Sequence, residues 1–118
     1  MITELITYKT QLQIWHWQTN KYSQHMAFQN TYETLEELID SFVESFSGKY
    51  GKIKSESNFV ITLKNIDDKI VDVIDSHIKW LLTDLPAKLN TEEDVDLLNI
   101  RDEMVAALTK LKYLLTLD

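Results

Sequence analysis

Apolar residues recur at helical spacing along most of this chain, and the longest run lies between Ser23 and Gly48. Steps of four and three residues separate its apolar positions, which places them on one helix face that packs against a core. Ser23 fits the role of an N-cap, and Gly48 and Gly51 are typical helix ends. The pattern therefore predicts a long amphipathic helix whose core stripe is Phe28, Tyr32, Leu35, Ile39, Phe42 and Phe46.

The same pattern predicts three further helices. The first runs from Ile2 to Asn20 and carries Leu5, Tyr8, Leu12 and Trp15 in step. Only a short link, from Thr19 to Ser23, joins it to the long helix, so the two are expected to be antiparallel neighbours.

A polar segment, residues 48–57, separates the two halves of the chain. The third helix is predicted from Asn58 to Leu85, and Pro86 then forces a break. The segment from Thr91 to Asp94 resembles a capping box that opens the fourth helix. Its inward-facing residues are predicted to be Leu98, Met104, Val105, Leu108, Leu111 and Leu115. We expect one all-α domain over residues 1–118, an up-down four-helix bundle.

Composition narrows the classes of function. Only two Gly and one Pro occur, which favours long helices, and the absence of Cys excludes disulfides and zinc–thiolate sites. The formal net charge of −7 makes nucleic acid and anionic membrane unlikely partners by electrostatics and suits a protein that attracts cations. No apolar run reaches the ~18–20 residues of a membrane span, and no signal-peptide pattern opens the chain. We therefore expect a cytoplasmic protein.

A second stripe on the long helix carries candidate metal ligands. At about 100° per residue, five polar positions fall within an arc of roughly 100°, beside the apolar stripe. These positions are His25, Gln29, Glu36, Asp40 and Glu44. His25 and Asp40 are separated by roughly 22 Å along one helix, so they cannot bind the same metal within one chain. Two antiparallel copies related by a two-fold axis would place His25 and Gln29 opposite Asp40 and Glu44, twice over. His16, near the end of the first helix, would join His25 from the same chain.

These residues resemble the ligand pattern of the Dps-type mini-ferritins, which belong to the ferritin-like superfamily. The resemblance rests on His16-Trp17 and on the spacing of His25, Gln29, Asp40 and Glu44. It implies a ferritin-like bundle with a di-iron oxidation site shared across a two-fold dimer interface. Short ferritin-like proteins encoded by phages are similar as well. Gln29 stands where the family has an aspartate, and this neutral, poorer ligand lowers the negative charge of the site. The family's basic N-terminal tail is missing, so DNA binding is not carried over.

Two functions follow from this ligand set. Imidazole and carboxylate without thiolate suit iron, manganese or zinc, and bridging carboxylates make bound Fe²⁺ easier to oxidise. The first hypothesis is therefore an iron-binding protein with ferroxidase activity at a homodimer interface, in which the metal ligands are the only catalytic groups. The alternative is a non-enzymatic helical protein for dimerisation or partner binding, with a degenerate or structural metal site; Gln29 favours it. His77 is predicted to be a hydrogen-bonded core histidine.

Overall fold

The computed structural model describes residues 1–54 and 58–117, and these form four α-helices. Helix α1 spans Ile2–Gln18, α2 spans Tyr22–Tyr50, α3 spans Ile70–Lys79 and α4 spans Val95–Leu114. After α3 the chain continues in a wider π-helical turn, Trp80–Asp84, and a short 3-10 turn, Pro86–Lys88. No strand occurs in the described ranges, so the prediction of an all-α fold with four helices is confirmed at that level.

Neighbouring helices run in opposite directions, as the contacts between their ends show. Trp15 at the end of α1 packs against Phe28 near the start of α2, with ring centroids 5.8 Å apart. Lys49 in the last turn of α2 pairs with Asp96 in the first turn of α4. Lys112 near the end of α4 pairs with an aspartate of α3, Asp75, at 2.6 Å. These pairs make α2 antiparallel to both α1 and α4, and α4 antiparallel to α3, so α3 runs in the same direction as α2. The predicted up-down order is therefore wrong between α2 and α3, because the segment before α3 runs along α1 from Gln11 to Gln18 before the helix begins.

Helix α2 is the centre of the packing, because it lies between α1 and α4 and contacts both. Its core stripe contains Phe28, Leu35 and Phe42, none of which exposes more than 2% of its surface. Burial of such side chains stabilises the fold by about 1.5–3 kcal/mol each. The predicted apolar stripe of this helix is therefore confirmed at its central positions, while Tyr32, Ile39 and Phe46 pack against its edge.

The prediction that the third helix begins at Asn58 is wrong, because α3 begins only at Ile70. Side chains of α1 hold the preceding segment in a non-helical form. The backbone N–H of Lys64 donates to Oε1 of Gln11 (2.7 Å), and its carbonyl accepts from Nε2 of Gln11 (2.8 Å) and Nε1 of Trp15 (3.1 Å). The N–H of Ile66 donates to Gln18 (2.7 Å). These bonds occupy the backbone groups that a helix would pair internally.

Helix boundaries also differ from the predictions at α1 and α2. Helix α1 ends at Gln18 rather than Asn20, and α2 begins at Tyr22, one residue before Ser23. Helix α2 continues past Gly48 to Tyr50 and ends at Gly51, whose φ of +89° is unfavourable for residues with a side chain. The last three residues of the predicted polar segment, 55–57, lie outside the described residues.

The predicted capping box does not form at the start of α4. The helix begins at Val95, and Asp94 precedes it without a side-chain cap to the helix. Leu97 rather than Leu98 is fully buried, so the inward face is shifted by one residue in the first turn. None of the helices in the described ranges combines the length and hydropathy that a bilayer crossing requires.

Candidate metal-binding site

His16 and His25 lie together where α1 passes into α2. Their rings are stacked, with centroids 3.7 Å apart and an interplanar angle of 24°. Nδ1 of His16 bonds to the carbonyl of His25 (2.8 Å), and Nδ1 of His25 bonds to the carbonyl of His16 (2.9 Å). A carbonyl can only accept, so both Nδ1 atoms carry the proton and donate. In the neutral ring the lone pair is therefore on Nε2 of each histidine, the atom available to a metal.

Aromatic side chains surround this histidine pair. Tyr32 packs edge-on against His16, with centroids 5.5 Å apart, and the highly exposed Tyr22 lies parallel to His25 at 6.3 Å. His16 is 7% exposed, while His25 is half-buried. The expectation that His16 stands beside His25 in one chain is thus met, and the short link between the helices does not separate them.

The remaining predicted ligands lie on the outer side of α2. Gln29 is half-buried and donates from Nε2 to Glu33, one turn further along, at 3.2 Å. Glu36, Asp40 and Glu44 are exposed. Within residues 1–54 and 58–117 of one chain, no three His, Asp or Glu side chains are grouped closely enough to hold a metal. The histidines and the carboxylates of one chain therefore do not form a site with each other.

The histidine pair nevertheless fits one half of a shared metal site. Metal-bound histidines commonly donate their second ring N–H to a carbonyl or carboxylate, which fixes both the tautomer and the ring orientation. His16 and His25 already have this arrangement. Oxygen ligands, which iron and manganese accept together with imidazole, are exposed on the same helix at Asp40 and Glu44. A site that combined these carboxylates with the histidine pair would need them from a second copy of the chain.

His77 differs from the other two histidines. It is 6% exposed on α3 and stacks on Tyr8, with centroids 4.0 Å apart. The prediction of a core histidine is confirmed, but the predicted hydrogen bond is wrong for Nδ1, which is buried without a partner among the described residues. Burial, with a smaller contribution from the charge of Lys64, lowers the pKa of His77 to about 4. The ring is therefore neutral at pH 7.

A buried carboxylate at the opposite end of α2 was not singled out by the sequence analysis. The side chain of Asp94 is fully buried and accepts from the Tyr50 hydroxyl (2.7 Å), the Asn90 backbone N–H (2.8 Å) and Nζ of Lys49 (3.2 Å). Burial alone would raise the pKa of Asp94, but these bonds outweigh it and lower the pKa below its usual value. We call this group the Asp94 clasp; it joins the end of α2 to the start of α4.

Comparison with known proteins adds a family but no activity. No curated protein and no solved structure matches the chain. A family model, described as a family of unknown function (DUF5856), matches residues 16–115. The match begins at His16 and continues past the end of α4, so it includes the histidine pair, the outer side of α2 and the Asp94 clasp. Since it covers most of the sequence, the chain belongs to the family of unknown function DUF5856.

Proposed function

We propose that this protein binds iron at a ferritin-like di-metal site between two copies of the chain and oxidises Fe²⁺ to Fe³⁺ there. The observation that supports this function best is the reciprocally bonded pair of His16 and His25. It orients two imidazoles and leaves Nε2 of each ring as a potential ligand.

The carboxylates on the outer side of α2 support the same function. Asp40 and Glu44 are one turn apart, and neither forms an ion pair within the part of the chain that is described. Like charges at this spacing destabilise a helix by a few tenths of a kcal/mol. A bound cation removes this repulsion. A two-fold axis across α2 would bring Asp40 and Glu44 of one copy to His25 and His16 of the other.

Iron is the substrate of the proposed reaction. Two Fe²⁺ ions each give up one electron, and one peroxide molecule with two protons accepts both electrons to form two water molecules. The protein contributes the ligands, and the negative charge of Asp40 and Glu44 favours Fe³⁺ over Fe²⁺. Manganese and zinc suit the same ligands, but zinc has no redox chemistry and could not take part in this reaction.

Metal content per chain tests the proposal. The protein is loaded with Fe²⁺ without oxygen, desalted and analysed for iron; we expect about one to two ions per chain, as a di-metal site at a two-fold interface requires. Asp40→Ala should lose most of this iron without loss of helicity, because Asp40 is exposed. Glu92→Ala, which removes an exposed carboxylate from the turn before α4, should retain it. Absence of iron from the unmodified protein, or equal loss in both variants, would refute the assignment.

A second candidate function is a non-enzymatic interaction protein on the same scaffold. It is favoured by Gln29, whose neutral amide donates to Glu33 and adds no negative charge to the predicted site. In that case no iron is retained after desalting, and sedimentation of the metal-free protein shows association with itself or with a partner. The iron measurement therefore separates the two candidates.

A further inference from the structure

A groove with apolar walls lies between α1 and α2, and no described part of the chain fills it. Its volume is about 590 Å³. Ile2 and Ile6 contribute from α1, and Ile39 and Val43 contribute from α2. All four side chains are half-buried, so each presents part of its apolar surface to the outside.

The outer rim of this groove is strongly acidic. Glu33, Glu36, Glu37 and Asp40 line it from α2, all four are exposed, and Lys9 is the single cationic residue in the lining. Because the four carboxylates follow one another along a single helix, they form a continuous negative edge beside the apolar walls. Such an edge attracts cations and cationic side chains, and it repels anionic partners.

A second groove, between α2 and α4, provides a comparison within the same molecule. Its volume is about 410 Å³, and its apolar lining includes Leu38 and Leu114. One carboxylate and one ammonium group, from Glu103 and Lys110, face it. The α1–α2 groove is the larger of the two, and both have apolar walls, but only the α1–α2 groove carries an excess of negative charge.

We propose that the α1–α2 groove binds an amphipathic helix of a partner protein that is rich in lysine or arginine. The lining residues of α2 extend from Glu33 to Val43, which is about 15 Å of helix and matches roughly three turns of a partner. The partner's apolar residues, spaced by three and four positions, would contact the isoleucines, while its cationic residues would face the carboxylates. A second copy of this chain offers no such helix, because none of the four described helices carries more lysine and arginine than aspartate and glutamate.

A designed peptide tests the groove directly. The probe is a fluorescein-labelled helical peptide of about 18 residues with leucine at every third and fourth position and lysine at the others. Binding to the metal-free protein is followed by fluorescence anisotropy. Glu33→Lys combined with Glu37→Lys should weaken binding at least about tenfold, because two attractions become repulsions. The matched control, Glu92→Lys with Glu93→Lys, makes the same charge change at exposed positions outside the groove and should alter binding less than about twofold.

Methyl NMR locates the peptide. We expect shifts at Ile6 and Ile39 and none at Leu38 and Leu114, which line the other groove. Shifts in the α2–α4 groove, equal weakening by both double variants, or equal binding of the glutamate version of the peptide would overturn the proposal. So would methyl shifts of Ile6 and Ile39 that depend on protein concentration without peptide, since a second copy would then be the occupant.

This proposal and the iron site are tested independently. Glu33 and Glu37 are not among the proposed ligands, so the Glu33→Lys, Glu37→Lys variant is also measured for iron content. Loss of peptide binding with retained iron supports both proposals, and absence of iron with groove-specific peptide binding refutes only the iron site. Glu36 and Asp40 belong to both surfaces, which is why the peptide is measured on metal-free protein.

Discussion

At the scale of single residues, the three histidines show how hydrogen bonding separates side chains of the same type. His16 and His25 each give their Nδ1 proton to a carbonyl of the other residue, so burial costs these atoms little. Nδ1 of His77 has no partner among the described residues and lies against Tyr8 in the core. A protonated ring there would be a buried charge without compensation. The tautomers of the first two histidines are therefore fixed by hydrogen bonds, while the third histidine is a source of acid sensitivity.

Replacing His77 with Phe should reduce that sensitivity. The pKa of His77 is about 4 in the folded protein and near 6.5 in the unfolded chain, so the unfolded chain binds the proton first as the pH falls. The stability contributed by the neutral ring is complete above about pH 6.5 and is lost progressively towards pH 4. Phe keeps an aromatic ring against Tyr8 but does not titrate. Between pH 7 and pH 4, the free energy of unfolding of the unmodified protein should fall by up to about 3 kcal/mol more than that of His77→Phe.

Urea unfolding at pH 7, 6, 5 and 4 measures this difference. Carboxylates contribute to acid unfolding in both proteins, so the difference between the two curves isolates His77. If the free energies of unfolding of the two proteins fell in parallel with pH, the pKa of His77 would be the same in the folded protein as in the unfolded chain.

At the scale of elements, contacts between residues far apart in sequence decide where the apolar pattern fails. Phe59, Leu63 and Ile66 have helical spacing, yet this segment is not helical. Gln11 and Gln18 of α1 bind the backbone of Lys64 and Ile66, about 50 positions later. Local periodicity contains no sign of such bonds. It predicted α1, α2, α4 and the second half of the third helix well because their apolar faces are buried by neighbouring helices.

The Asp94 clasp is a second contact of this kind. The sequence marked the region of Gly48 to Gly51 as a helix end and Thr91 to Asp94 as a helix start, but not the contact between them. Lys49 and Tyr50 reach Asp94 only because α2 continues for two residues beyond Gly48. Removing the charged carboxylate of Asp94 from water is costly, and its hydrogen bonds to the surrounding donors offset that cost.

Asp94→Ala should therefore destabilise the bundle far more than Asp96→Ala. Removal of Asp94 leaves the Asn90 N–H without its acceptor and releases Tyr50 and Lys49 from the start of α4. Asp96 also pairs with Lys49, but it is 53% exposed, and exposed ion pairs contribute little. We expect the melting temperature to fall by about 5–10 °C for Asp94→Ala and by less than about 2 °C for Asp96→Ala. Thermal unfolding followed by circular dichroism measures both, and similar losses would contradict the role given to the clasp.

At the scale of the whole molecule, the candidate site was predictable in part. The distance along α2 between His25 and Asp40 follows from helix geometry alone, so a site containing both residues was expected to need a second copy of the chain. That His16 lies beside His25 was expected from its position near the end of the first helix. The reciprocal bonds that fix both tautomers did not, because they depend on the exact orientation of two backbone carbonyls. The acidic groove was not predicted either, since its walls come from two helices and the periodicity of one helix does not show which faces of two helices lie together.

Mixing two inactive variants tests whether the site is shared between copies. His25→Gln removes a proposed ligand from one half of the site, and Asp40→Ala removes one from the other half, so neither variant alone should retain iron. In a mixed dimer both changes fall in the same one of the two sites, and the other site keeps His25 from one chain and Asp40 from the other. Random exchange of subunits makes half of the dimers mixed, so the mixture should retain about one quarter of the iron of the unmodified protein. Iron content after unfolding and refolding the variants together measures this fraction, with each variant refolded alone as the control. A site contained within one chain would give no recovery, whereas a value near one quarter requires ligands from two copies.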